Sequence, residues 1–460
     1  MRKLHRILRK LAWVTAFVAV LMPGCATVRR DLQTQSSQSQ GGKPFVIAVV
    51  GDGVPSGVIA PRDHPVNNAQ GRAMWDGAQA AFCKSPSCEL LRTYAELVPR
   101  DDRGSVQIAG QIAEVLRADP RTIGVIGHAT SGTTRAAAWL YAEAHVPLLM
   151  PIATSPYAIF PPARNREFDA GAIGGLSTAS VSVWDQGRGT PLRNCFRLPP
   201  NDEKFQVAAV KYLITERLQS KRVYLLRDVS EDSGEYSGPL FSGLERLLGP
   251  LVVCKRRIDR ESTNLFLVAE SIRGYKADTV VLAGYGTTAQ EMFHALRGVF
   301  PPDRRFAGGP RVVLTDGCKT EEVDPTGFEA YVTFPLPEVP LALPATASED
   351  LKILHQVIEN KKKQSYEIYG YDAALLLGRA FSRCQSAASI RGCLSDQLRK
   401  ADDLSGVLFS YGFDANGENE QAPYYVYSSL SSGKITDTFR FSLIIPPEQM
   451  RQALHVAETH

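Results

Sequence analysis

The sequence is short of the signatures that announce a chemistry. Among its 8 cysteines and 8 histidines there is no CxxC pair and no HxxxH spacing, so no metal centre is expected. No G-x-S-x-G elbow and no Walker loop occur. Gly51-Asp52-Gly53-Val54-Pro55-Ser56-Gly57 follows an apolar strand, as a dinucleotide fingerprint does. Its third glycine comes one residue late, however, and Pro55 interrupts the approach to a helix. No nucleophile–base constellation stands out, and neither an enzyme nor a cofactor is expected. Asp101 and Asp102 end a strand and read as a solvated turn, and His128 reads as a structural histidine. There is no long run of one charge and no basic stripe interleaved with aromatics, and the net charge is only +4. Nucleic acid is therefore not an expected partner. A membrane-spanning run is missing too. The apolar stretch Leu11–Gly24 has 14 residues, where a bilayer needs about 20.

That short run, preceded by Arg2, Lys3, Arg6, Arg9 and Lys10, has the form of a secretory signal. It stops at Met22-Pro23-Gly24-Cys25. A small residue just before a cysteine is how a lipoprotein signal ends, so Cys25 is the expected lipidation site, with an ordinary cleaved signal as the other reading. Residues 1–24 are then the signal peptide, and 25–43, polar and aperiodic, a flexible tether. The protein is expected in the periplasm or at the cell surface, held to a membrane through Cys25. Cysteine use fits export. Cys83 and Cys88 flank a proline turn and form one candidate disulfide, and Cys384 and Cys393 form another. Seven cysteines remain after Cys25, so at least one thiol is left over.

About 417 residues follow the tether, too many for one core and enough for two lobes. The chain is 44% hydrophobic, in short apolar runs alternating with amphipathic helices. Strands over 44–50, 95–98 and 122–126 and helices over 71–82, 105–118 and 133–144 predict a β-α-β-α-β unit with a parallel sheet. Residues 157–194, rich in Gly, Ser, Arg and Pro, break this rhythm and read as a surface insertion. From Asn194 the alternation restarts as a second α/β unit, with its first helix over 203–217.

The most informative stretch is 120–156. It reads as strand, hydroxyl-rich loop, helix, strand and a second hydroxyl-rich loop. A right-handed crossover places both loops at one carboxyl edge of a sheet, where α/β proteins bind ligands. Thr130, Ser131, Thr133 and Thr134 meet Thr154 and Ser155 there. Hydroxyls and free N–H groups at a helix start suit a small anion, although helix capping alone also accounts for such hydroxyls.

Several segments in fixed order carry a family resemblance: Gly127–Thr134, Pro151–Pro156, Ala283-Gly284-Tyr285, Leu314–Gly317 and Gly412–Gly417. Together, from Phe45 to about Phe441, the chain resembles type I periplasmic binding proteins. Within them it is most similar to the branched-chain amino-acid (leucine/isoleucine/valine) binding proteins of ABC transporters. The resemblance implies two Rossmann-like lobes with parallel central sheets, joined by three crossover strands near 195–199, 332–337 and 430–440. Lobe 1 would take 44–194 and 336–430, lobe 2 would take 195–335 and 431–446, and 447–460 would be a tail. It also implies a ligand clamped between the lobes. Ser131, Thr154 and the backbone around Ile152 would hold its carboxylate, and Tyr285 and Asp316 would face its ammonium. The implied partners are an amino acid or analogue and an ABC permease. Asp316 is one methylene shorter than the family's usual glutamate, Ile152 stands where a small residue is common, and the loop over 52–70 departs from the usual entry. Penicillin-binding-protein activators resemble the same fold. A regulatory envelope lipoprotein acting on cell-wall enzymes is thus the alternative function.

Overall fold

The computed structural model describes residues 43–55, 68–159, 192–230, 234–301, 309–320, 322–337, 343–361, 366–400, 404–408, 410–431 and 434–458. Cys25, the tether, most of the 157–194 segment and most of the 52–70 loop lie outside them.

Two sheets organise the chain from Phe45 onward. The first has five parallel strands in the order β2-β1-β3-β4-β5: β1 (Phe45–Val50), β2 (Ala95–Arg100), β3 (Thr122–Gly127), β4 (Leu148–Met150) and β5 (Cys195–Arg197). Strands buried on both faces read as continuous apolar runs. Their two-residue period still divides them. Ala48, Val50, Val125, Leu148 and Met150 face one core, while Ile47, Val49, Ile126 and Leu149 face another. The first face is covered by α3 (Val106–Ala118) and α4 (Ser131–Glu143), which follow α1 (Asn68–Lys84) and α2 (Glu89–Tyr94) along the chain.

The second sheet runs β14-β13-β10-β9-β8-β6-β7. Its members are β6 (Val223–Asp228), β7 (Val252–Ile258), β8 (Thr279–Ala283), β9 (Arg311–Leu314), β10 (Ala330–Phe334), β13 (Tyr424–Ser431) and β14 (Lys434–Ile445). Strands β6 to β10 are parallel, whereas β13 and β14 pair antiparallel. This sheet is therefore mixed, because β13 enters antiparallel to β10 and β14 then returns antiparallel to β13. Helices α5 (Val207–Tyr212), α6 (Gly234–Leu248), α7 (Leu265–Gly274) and α8 (Gly286–Val299) belong to this lobe. So does the closing helix α12 (Pro447–Glu458), whose Met450 is buried against α5. The expected C-terminal tail is thus a packed helix.

The lobe boundaries shift accordingly. Strand β5 pairs with β4, so the chain leaves the first sheet after Arg197, within the expected 195–199. Strand β13 pairs with β10 and belongs to the second lobe, so the third crossing precedes Tyr424 and does not fall at 430–440. Backbone pairing decided both, and neither pairing is encoded locally. Between β10 and β13 the chain revisits the first lobe with α9 (Glu349–Lys361), α10 (Tyr366–Ser382), α11 (Ile390–Lys400) and the small hairpin β11 (Leu404–Ser405) and β12 (Ser410–Tyr411).

Helix α10 lies directly on α1, and two glycines allow it. A Cβ on Gly77 would stand 2.0 Å from the Glu367 carbonyl oxygen, and one on Gly370 would stand 2.1 Å from that of Met74. The two backbones touch where those side chains would be.

The disulfide expectations divide. Cys384 and Cys393 are bonded. Cys83 and Cys88 are not: Cys83 is exposed, and Cys88 is buried with its thiol donating to the Ala374 carbonyl at 3.4 Å. Cys83 lies at the end of α1 and Cys88 closes the short turn before α2, one turned to solvent and the other to α10. Among the described residues no helix is long and apolar enough to cross a membrane, and no cluster of metal-ligating side chains occurs.

Candidate ligand site

The loop after β3 delivers its hydroxyls to the start of α4, and the structure sorts them by task. Thr130 is the N-cap, its side chain accepting from the Thr133 N–H. Thr133 Oγ1 lies 2.8 Å from Thr130 Oγ1, and Thr134 Oγ1 donates to the Thr130 carbonyl at 2.6 Å. These three residues complete the helix start, the ordinary use of hydroxyls there. Ser131 is different. Its Oγ accepts from the Ser155 N–H at 3.4 Å, joining the first hydroxyl loop to the second. The Ser155 hydroxyl is itself buried without a hydrogen-bond partner among the described residues.

The second loop follows β4. Ile152 is buried in the core shared with α1 and α10. Ala153 gives its carbonyl to Arg197 Nη1 at 2.8 Å. Thr154 is buried, and its carbonyl accepts from the Asp202 N–H at 3.2 Å. This bond joins the site's first-lobe half to the start of the second lobe. Asn201 caps the helical turn over Asp202–Gln206 that leads into α5, its side chain accepting from the Glu203 N–H at 2.8 Å.

From the second lobe, Tyr285 stands at the N-cap of α8 and stacks on Tyr236 of α6, with ring centres 4.9 Å apart. The Tyr236 hydroxyl donates to Asp316 Oδ1 and accepts from the Gly317 N–H at 3.0 Å. Gly317 is required by this arrangement, since a Cβ there would meet the Tyr285 ring at 2.8 Å and the Gly284 carbonyl oxygen at 2.9 Å.

Asp202 and Asp316 act on each other electrostatically and are 0% and 5% exposed. Burial above all raises both carboxyls from their usual range. The negative charge of Asp316 raises Asp202 further, while hydrogen bonds from Tyr236 and Gln206 oppose the rise at Asp316. Tyr366 and Tyr424, both fully buried in effect, feel the same two charges, and their hydroxyls are raised by burial first and by those carboxylates second.

The structure thus brings Ser131 and Thr154 together through Ser155, and places Thr154, Asp202, Asp316, Tyr236 and Tyr285 in one connected group spanning both lobes. Ile152 lies in the same loop. Asp202, Gln206, Tyr236, Tyr366 and Tyr424 are additions that the sequence did not single out. The Asp101-Asp102 turn is also revised. Asp102 is buried, with Oδ2 at 2.6 Å from His128 Nδ1. His128 is fully buried, and its Nε2 lies 3.4 Å from the Tyr141 hydroxyl.

A family model described as periplasmic binding protein matches residues 54–434, most of the chain. The chain belongs to that family. Among solved structures it is similar to the branched-chain amino acid transporter substrate-binding protein LivJ from Streptococcus pneumoniae in complex with isoleucine. That match has 19% identity and a TM-score of 0.62, covering 87% of this chain and 100% of the other. The leucine binding protein LivK from Thermotoga maritima has 21% identity and a TM-score of 0.62, covering 88% and 99%. An ABC transporter substrate-binding protein from Desulfitobacterium hafniense, complexed with Leu, has 17% identity and a TM-score of 0.59, covering 86% and 99%. At these identities the likeness shows the fold, the two-lobed type I architecture. No curated protein matches the chain by sequence. The family is one of solute-binding proteins that work outside the cytoplasm.

Proposed function

We propose that the protein is an extracytoplasmic solute-binding protein that clamps an amino acid or related small polar ligand between its lobes and delivers it to an ABC permease. The observation that carries this reading is the unmet polarity where the lobes meet. Neither oxygen of Asp202 has a hydrogen-bond partner of normal geometry among the described residues, and the same holds for Gln206 Oε1, Tyr424 Oη and Ser155 Oγ. Buried polar atoms without partners each cost about 1–3 kcal/mol. A ligand that satisfies them stabilises the arrangement in which both lobes contribute. Ser131 Oγ and the Thr154 hydroxyl supply donors for a carboxylate, and Asp316, with the Tyr236–Tyr285 stack beside it, faces a cationic nitrogen.

Calorimetry of the purified protein against the twenty amino acids and their amides tests the reading. Binding of at least one, weakened by Asp316→Ala with the fold intact, is expected; binding of none would refute it. We further propose that Cys25 carries a lipid that tethers the protein to a membrane. Labelled fatty acid should enter the wild type and not Cys25→Ala.

A further inference from the structure

Resting on that reading, we propose that the ligand is a small molecule with two cationic nitrogens, a basic amino acid or a diamine, and that Asp202 and Asp316 each take one of them. The inference starts from the charge balance of the site. Asp202 and Asp316 are two carboxylates in one dry place, 0% and 5% exposed. Arg197 is the cation that acts on Asp202, and it is already engaged. Its Nε donates to Glu418 Oε2 at 2.8 Å and its Nη1 to the Ala153 carbonyl at 2.8 Å. Lys319 holds its ammonium over the rings of Tyr427 and Phe334, at 4.3 and 4.7 Å.

Asp316 has the Tyr236 hydroxyl, which donates to it without bringing charge. Asp202 has the Thr154 hydroxyl beside it and no hydrogen bond of normal geometry among the described residues. Buried carboxylates are tolerated when paired with cations and are costly otherwise. A neutral zwitterion brings one cation together with one anion and leaves the net charge of the site unchanged. A ligand with two cationic nitrogens brings one for each carboxylate. The surroundings suit it further. The Tyr236–Tyr285 stack lies beside Asp316, and aromatic faces attract cations.

The test uses matched pairs that differ in one charge, with the full-length protein in detergent. Calorimetry compares lysine with norleucine, and 1,4-diaminobutane with butylamine. Lysine and the diamine should each bind roughly tenfold tighter than the partner that lacks the second ammonium. Tighter binding of lysine than of the diamine would identify a basic amino acid, and the reverse a diamine. Asp202→Asn and Asp316→Asn should each narrow the gap between partners. The wild-type comparison stands even if a variant folds poorly. Norleucine or leucine binding as tightly as lysine would overturn the dication proposal and leave the solute-binding reading intact. Binding by none of the amino acids or amines would overturn both.

Discussion

Arg197 and Glu418 form a buried ion pair, Nε to Oε2 at 2.8 Å, with side chains 0% and 4% exposed. Arg197 closes β5, the last strand before the chain first leaves the lobe, and Glu418 lies in the turn-rich segment through which it leaves for the last time. The Asn201 amide adds a bond to Glu418 Oε1 at 2.9 Å, and Gly417 accepts from the Arg197 N–H at 2.9 Å. Two of the three passages between lobes are therefore fastened to each other. Through Ala153 the same arginine fixes the loop that presents Thr154.

Breaking this pair should be expensive. Glu418→Ala leaves a guanidinium buried without its carboxylate and should cost about 3–5 kcal/mol, read from the denaturant midpoint. Replacing both residues with apolar side chains of similar volume should recover most of that loss. Ligand affinity should not recover, because the Ala153 carbonyl remains unheld.

The hydroxyls of the two loops should separate by function. Thr130→Ala removes the cap of α4 and should lower stability by about 1 kcal/mol while leaving ligand affinity nearly unchanged. Thr154→Val keeps the shape and removes the hydroxyl, so affinity should fall roughly tenfold with little change in melting temperature. The same outcome for both variants would show that the loops play one structural role.

Stability should fall as pH rises through the weakly acidic range. Burial pushes the Asp372 carboxyl up to about 7 from 3.8, against the hydrogen bonds it accepts from Tyr411 and Val407. Between those values the folded chain holds a proton that the unfolded chain releases. Folding free energy is then lost at up to about 1.4 kcal/mol per pH unit. Asp202 and Asp316 act in the same direction. Urea titrations between pH 4 and 8 should show this decline, and Asp372→Asn should flatten part of it.

Thiol chemistry should divide the cysteines cleanly. Cys83 is exposed and should alkylate in the native protein. Burial pushes the Cys88 and Cys195 thiols up to about 12, and Cys318 is raised as well, so these three should react only after unfolding. Mass spectrometry before and after denaturation reads the difference. Replacing Cys384 and Cys393 with serine opens a short loop and should cost about 2–3 kcal/mol.

Much of the architecture is legible in the chain itself. The run at 122–127, the hydroxyl loop and the helix after it appear where the apolar periodicity puts them, because a strand buried on both faces needs an unbroken apolar run. The second lobe is less legible. The segment 203–217 reads as one helix and is one, running unbroken from Asp202 to Arg217, but only α5 has α geometry and both ends are wound as π-helix. Cys83 and Cys88 look pairable in sequence, yet the direction each side chain takes from its helix separates them.

What the sequence by itself determined is the α/β alternation, the two-lobe scale, the paired hydroxyl loops and the presence of Tyr285 and Asp316 after their strands. Those follow from periodicity and turn chemistry, which act over a few residues. Long-range packing set that β5 pairs with β4 and β13 with β10, that Thr130 caps while Ser131 reaches Ser155, and that Asp202 lies buried in the same group as Asp316. Strand pairing, burial and charge proximity join residues tens of positions apart, and more than a hundred for Asp202 and Asp316, and no local pattern encodes such distances.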